Sequence, residues 1–141
     1  MSKHLRDNYS ISTDKSMLDT HEIHDYLSNH SYWAKGRTME AVLRSIEHSL
    51  CFGLYHGRDQ VGFARVITDY TTFAYLADVY ILIGHRGKGH GKWLIEEIIQ
   101  HPQLKNLRRF LLATKDAHHL YSQAGFKPLS KTERWMEIFK E

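Results

Sequence analysis

Three glycines alternate with basic residues and a histidine in Arg86-Gly87-Lys88-Gly89-His90-Gly91-Lys92, between an apolar, β-branched run from Ala77 to Ile83 and a helical-period run from Trp93 to Ile99. A strand leading through such a loop into a helix offers main-chain N–H groups that have no intrahelical partner. They lie at the positive end of the helix dipole and face whatever anion sits there. The spacing predicts a pyrophosphate cradle, with Arg86, Lys88 and Lys92 supplying positive charge. Two common nucleotide loops do not fit. A Walker loop needs Gly-Lys-Ser/Thr where Gly84 leads to Gly89-His90, and Gly87-x-Gly89-x-Gly91 is one residue short of a dinucleotide fingerprint, which argues against ATP and NAD.

A second segment, Ala117-x-x-Leu120-Tyr121-x-x-x-Gly125-Phe126, follows after a strand-like run. The spacing Arg86-x-x-Gly89-x-Gly91 resembles the acetyl-CoA pyrophosphate loop of the GNAT N-acetyltransferase superfamily, and the downstream segment is similar to that superfamily's A-x-x-L/F-Y-x-x-x-G-F. The specific likeness runs from about Val61 to Leu129. It implies acetyl-CoA as acetyl donor, no metal, and direct attack by an acceptor amine in a ternary complex. By the same resemblance, Val79, Tyr80 and Ile81 would pair through their backbone with the pantetheine arm, and Gly87, Lys88, Gly89, His90, Gly91 and Lys92 would surround the pyrophosphate. Tyr121 falls where the family's phenol points at the CoA sulfur. Its ordinary pKa of ~10, against about 8.5 for a thiol, keeps it protonated and able to donate to a departing thiolate. Without the resemblance it reads as a packing residue beside Leu120 and Phe126. Thr114 stands where many members place an asparagine that bonds the pantetheine arm. A hydroxyl can donate one such bond but cannot supply both donor and acceptor of an amide.

For the acceptor amine the candidate partner is Asp78, a carboxylate in an otherwise apolar strand, where it points with Tyr80 away from Val79 and Ile81. Such a group binds a cationic amine, acts as a base directly or through water, or pairs with an internal arginine such as Arg65. Polyamine-type members of the resembled family carry an acidic residue here. The family's helical region lines the acceptor pocket, which points to His24 or Glu22, Tyr32, Trp33 and Arg37. The 11 histidines form no H-E-x-x-H spacing and have no Cys partner, so metal ligation is not expected. Cys51 reads as a small buried hydrophobe, and a single cysteine suits a reducing cytoplasm.

These residues need positioning elements. A strand is expected at Tyr9–Thr13, a helix from Asp19 or Thr20 to about Ser28, a second helix after Thr38, and a hairpin of Cys51–Tyr55 with Gln60–Asp69. There follow a strand at Phe73–Ile83, the cradle helix to Gln100, a strand at Phe110–Thr114, a helix at Ala117–Gln123, a final strand at Trp135–Phe139, and room for another at Lys127–Ser130. The order βααβββαβαβ is that of the resembled acyl-CoA N-acyltransferase fold: α/β (α+β), a mixed, mostly antiparallel twisted sheet with helices on both faces, in one domain over residues 1–141. The family's two central strands splay into a cleft. A net charge of +3 with 16 interspersed acidic residues does not suit a nucleic-acid binder, and no apolar run is long enough for a membrane span. The edge strand at Trp135–Phe139 offers a route to a homodimer. The expected activity is N-acetylation of a primary amine on a small molecule. A protein or peptide amine, or a non-catalytic acyl-CoA-binding module, are the alternatives.

Overall fold

A computed structural model describes residues 3–141. Its six strands form one sheet in sequence order: β1 (Lys3–Arg6), β2 (Tyr9–Ser12), β3 (Leu50–His56), β4 (Asp59–Thr68), β5 (Phe73–Ile81) and β6 (Arg109–Leu112). The first five pair antiparallel, and β5 with β6 pairs parallel. Helices α1 (Thr20–His30) and α2 (Met39–Glu47) cover one face, while α3 (His90–Gln100) and α4 (His118–Gln123) cover the other.

Local chemistry sets most of these boundaries. Asp19 accepts from the Glu22 N–H at 3.1 Å to start α1, which buries Ile23 and Leu27 one turn apart. Thr38 does the same for Ala41 at the head of α2, where Val42 and Ile46 turn inward. Gly57 supplies the positive φ that a two-residue hairpin needs between β3 and β4.

Three features depart from expectation. The sheet gains β1, joined to β2 by Asp7-Asn8, both at positive φ, which is the conformation of a type I′ turn without its usual glycine. Residues 135–139 and 127–130 form no strand, so the element order is ββααβββαβα, and the strand expected to carry a homodimer is absent. In place of a strand pairing, Trp135 takes the Arg109 guanidinium over its ring at 4.9 Å, while Met136 and Ile138 stay exposed.

The third departure shapes the site. Along β5, Tyr80 sits opposite Phe63 and Ala77 opposite Arg65, so Asp78 and Val79 together face Ala64 alone. Asp78 takes φ +55° to make this bulge, a left-handed conformation that aspartate tolerates better than most residues. The bulge reverses the strand's alternation. Ala74 and Leu76 pack toward α3 before it, Val79 and Ile81 do so after it, and Tyr80 turns into the cluster under α1 and α2.

Candidate active site

Beyond Leu76 and Leu112 the pairing of β5 with β6 ends. A cleft of about 500 Å³ opens there, bounded by Ala77, Asp78 and Val79 on one side and by Ala113, Thr114 and Tyr121 on the other. Past this point the β5 edge facing β6 has no strand partner, so its peptide groups are presented to the cleft.

One wall is an ion cluster. Asp78, with a side chain 2% exposed, accepts from the Trp33 indole N–H through Oδ1 at 2.8 Å. Its Oδ2 accepts from Arg37 Nη1 at 2.8 Å and from Arg65 Nε at 2.9 Å. Arg65 is fixed in turn by its Nη1 donating to Ser49 Oγ at 3.1 Å. The carboxylate is thus held by three donors, the Arg65 pairing among them, and is engaged as the buried centre of a structural cluster. Arg65 itself was legible only as a partner for Asp78. Its signal was a charge on the inward-facing set of an apolar strand, Val61-Gly-Phe-Ala-Arg65-Val-Ile.

The connector between α1 and α2 roofs this wall. Tyr32 accepts the Lys115 main-chain N–H at 3.1 Å across the cleft, with the Lys115 ammonium 5.3 Å from its ring centroid. His24 does not line the cleft, because Ile23 and Leu27 take the sheet-facing side of α1. Glu22 lies outside the cleft too. It accepts from the Tyr80 phenol at 2.8 Å, and burial lifts its carboxyl to about 7. Tyr80 stacks on Tyr26 with centroids 4.0 Å apart.

Tyr121 is buried on the opposite wall, in the first turns of α4 and edge-on to Phe126. Burial, aided by Tyr32 and Asp116, pushes its phenol up to about 12. Thr114 accepts the Ala117 N–H at 3.0 Å and so shapes the entry to α4, leaving its hydroxyl proton to donate elsewhere. Burial also lifts the Cys51 thiol to about 11, which keeps it an un-ionised core group.

The glycine loop lies next along the chain. Gly87 and Gly89 have φ +76° and +82°, with Gly89 immediately preceding α3. Nothing lies within 4 Å of where a Gly87 Cβ would be, so the strain there is conformational and the ground above the loop is open. Lys88 and Lys92 are exposed. Arg86 instead ties the loop down, its Nε donating to the Ile81 carbonyl at 2.7 Å and its Nη2 to the Tyr26 hydroxyl at 3.0 Å. The His90 side chain turns into the core, its ring 3.9 Å from that of Tyr9, so only its backbone is available to a ligand. Among the described residues no three metal-ligating side chains converge, and no helix is long and apolar enough to cross a membrane.

A model of the acetyltransferase (GNAT) family matches residues 16–126. The crystal structure of a GNAT-family protein from Xanthomonas campestris pv. campestris superposes with a TM-score of 0.92 at 49% identity, covering 94% of this chain and 93% of that one. A Gibberella zeae protein named as a candidate acetyltransferase is 36% identical, over 84% of this chain and 78% of its own. At the level of fold alone, a Clostridium acetobutylicum protein crystallised with acetyl-CoA matches with a TM-score of 0.66 at 12% identity, over 94% of this chain and 95% of that one.

Proposed function

The chain belongs to the GNAT acetyltransferase family, and from that premise we propose that it transfers an acetyl group from acetyl-CoA to a primary amine of a small molecule. The observation that carries this reading is the parting of β5 and β6, which places Tyr121, Thr114 and the unpaired edge of β5 around one cleft. The residues fit the donor. Main-chain groups of Val79, Tyr80 and Ile81 would hold the pantetheine arm, although the Ile81 carbonyl is already engaged by Arg86. The N–H groups from Gly87 to Lys92 would hold the pyrophosphate, with Lys88 and Lys92 neutralising it. Acetyl-CoA supplies the activated acyl group.

The protein's own groups do the rest. Tyr121 keeps its proton across the working pH range, because burial raises its phenol, and holds that proton at Oη on the cleft wall for a departing thiolate. Asp78 acts as a positioning residue, setting the Arg37 guanidinium and the Trp33 indole at the acceptor end. The roof from Tyr32 to Lys115 narrows access for bulk water.

The test is calorimetric titration with acetyl-CoA followed by thiol release over an amine panel, for wild type and Tyr121→Phe. Expected are equal cofactor affinities and a kcat lower by about 100-fold in the variant, within the usual span for a lost general acid. A Tyr121→Phe enzyme running at full rate across pH would remove the acid role from this residue.

A further inference from the structure

The acceptor end of the cleft carries more positive charge than its own acid neutralises. Two guanidiniums, Arg37 and Arg65, converge on the single carboxylate of Asp78, and their side chains are 25% and 12% exposed against 2% for the acid. The count at this wall is two positive and one negative. At the mouth, Lys115 and Asp116 are both exposed and offset one another. Asp78 already takes three donors and its side chain is only 2% exposed, so it offers an ammonium ion little surface, while the Arg37 beside it is a cation that would repel one.

Low local dielectric makes an uncompensated guanidinium costly and a matching anion strongly favoured. Arg37 places Nη1 on Asp78 and is also among the residues that line the cleft, and a guanidinium so engaged keeps donors enough to hold an oxyanion through two parallel bonds. The excess is one charge, which matches a carboxylate better than a dianionic phosphate. Trp33, bonded to the same carboxylate, and its neighbour Tyr32 give the cleft an aromatic lining for a short carbon skeleton.

We infer that the acceptor is an amine that also carries a carboxylate, an amino-acid-type molecule, with Arg37 receiving the carboxylate and the amine left pointing toward Tyr121. The inference rests on the acetyl-transfer reading above and narrows it: polyamines and other purely cationic amines are selected against by the same Arg37–Asp78–Arg65 cluster.

The experiment compares α- and ω-amino acids, each with its carboxamide and its decarboxylated amine, by thiol release from acetyl-CoA. A preference of tenfold or more in kcat/KM for the carboxylates is expected in the wild type. In Arg37→Gln it should shrink below threefold through a higher KM, and Arg37→Lys, which keeps charge but not the fork, should fall between. A second readout needs no turnover. Short alkanoates, which have the carboxylate and no amine, should raise the melting temperature of the wild-type complex with acetyl-CoA and leave that of Arg37→Gln unchanged.

Preference for decarboxylated amines or polyamines overturns the inference. So does acetyl-CoA binding with no acceptor turned over and no alkanoate effect. Failure of acetyl-CoA to bind at all would instead strike the underlying acetyl-transfer reading, so the two failures are told apart by the cofactor titration alone.

Discussion

On the proposed reading, the loop from Arg86 to Lys92 and the wall around Asp78 solve two recognition problems by opposite means. In the loop the groups proposed to hold the ligand are main-chain amides, and the residues are contiguous, mostly exposed and shaped by glycines at positive φ. In the wall they are side chains gathered on one buried carboxylate and drawn from positions 13, 41 and 45 residues away from Asp78. A ligand common to a whole family can be gripped by backbone, whose chemistry does not vary. A partner that differs from member to member must be read by side chains, and the fold has to assemble them.

That contrast can be broken from either side. The largest effect belongs to the loop: Gly89→Glu puts a left-handed β-carbon and a negative charge at the head of α3, and acetyl-CoA uptake should disappear in calorimetry while the melting temperature moves little. Retained binding would mean that the diphosphate is held elsewhere. The wall should fail in the reverse way. Asp78→Asn leaves two partly buried arginines facing a neutral amide, and removing the buried partner of such a cluster costs on the order of 3–5 kcal/mol, readable as a lower denaturant midpoint with cofactor affinity largely kept among the folded molecules. An unchanged midpoint would show that the wall does not depend on its carboxylate.

The smallest effect lies where the two regions meet, at Glu22, Tyr80, Tyr26 and Arg86. The Glu22 carboxyl is raised from 4.5 to about 7 in the folded protein, chiefly by burial. The folded state therefore holds its proton more tightly than the unfolded chain, so this contribution to stability is complete below about pH 4.5 and is lost as pH rises to 7. Glu22→Gln should flatten the stability profile over that window and gain about 1 kcal/mol above it, a figure discounted for the solvent screening of a half-buried group. Parallel profiles for the two proteins would show that Glu22 ionises normally.

How far the sequence speaks follows the same division. The glycine loop, the Tyr121 segment, the caps at Asp19 and Thr38 and the hairpin at Gly57 are local, and each was legible where it stands. Arg37 and Trp33 could be placed only in a region, because what brings them together is a carboxylate 41 and 45 residues on. His24 is not among the residues that line the cleft, because residues on one turn of a helix share a neighbourhood but not a direction. The expected strand at Trp135–Phe139 has the right alternation, but alternation alone does not supply a pairing edge. Strand β1 is not legible in the sequence because Asp7-Asn8 lacks the glycine that usually marks its turn.

The two-for-one step at Asp78 and Val79 gives a nine-residue strand two reading frames. Upstream and downstream halves assign odd and even positions to opposite sides, so a point substitution in one half leaves the assignment in the other intact. A change of length by one residue would not. It would turn Val79, Tyr80 and Ile81 over together, exchanging the side chains that pack toward α3 with the one that packs under α1 and α2. New specificities are thus open to this scaffold by exchange of residues around the step, and closed to it by insertion or deletion there.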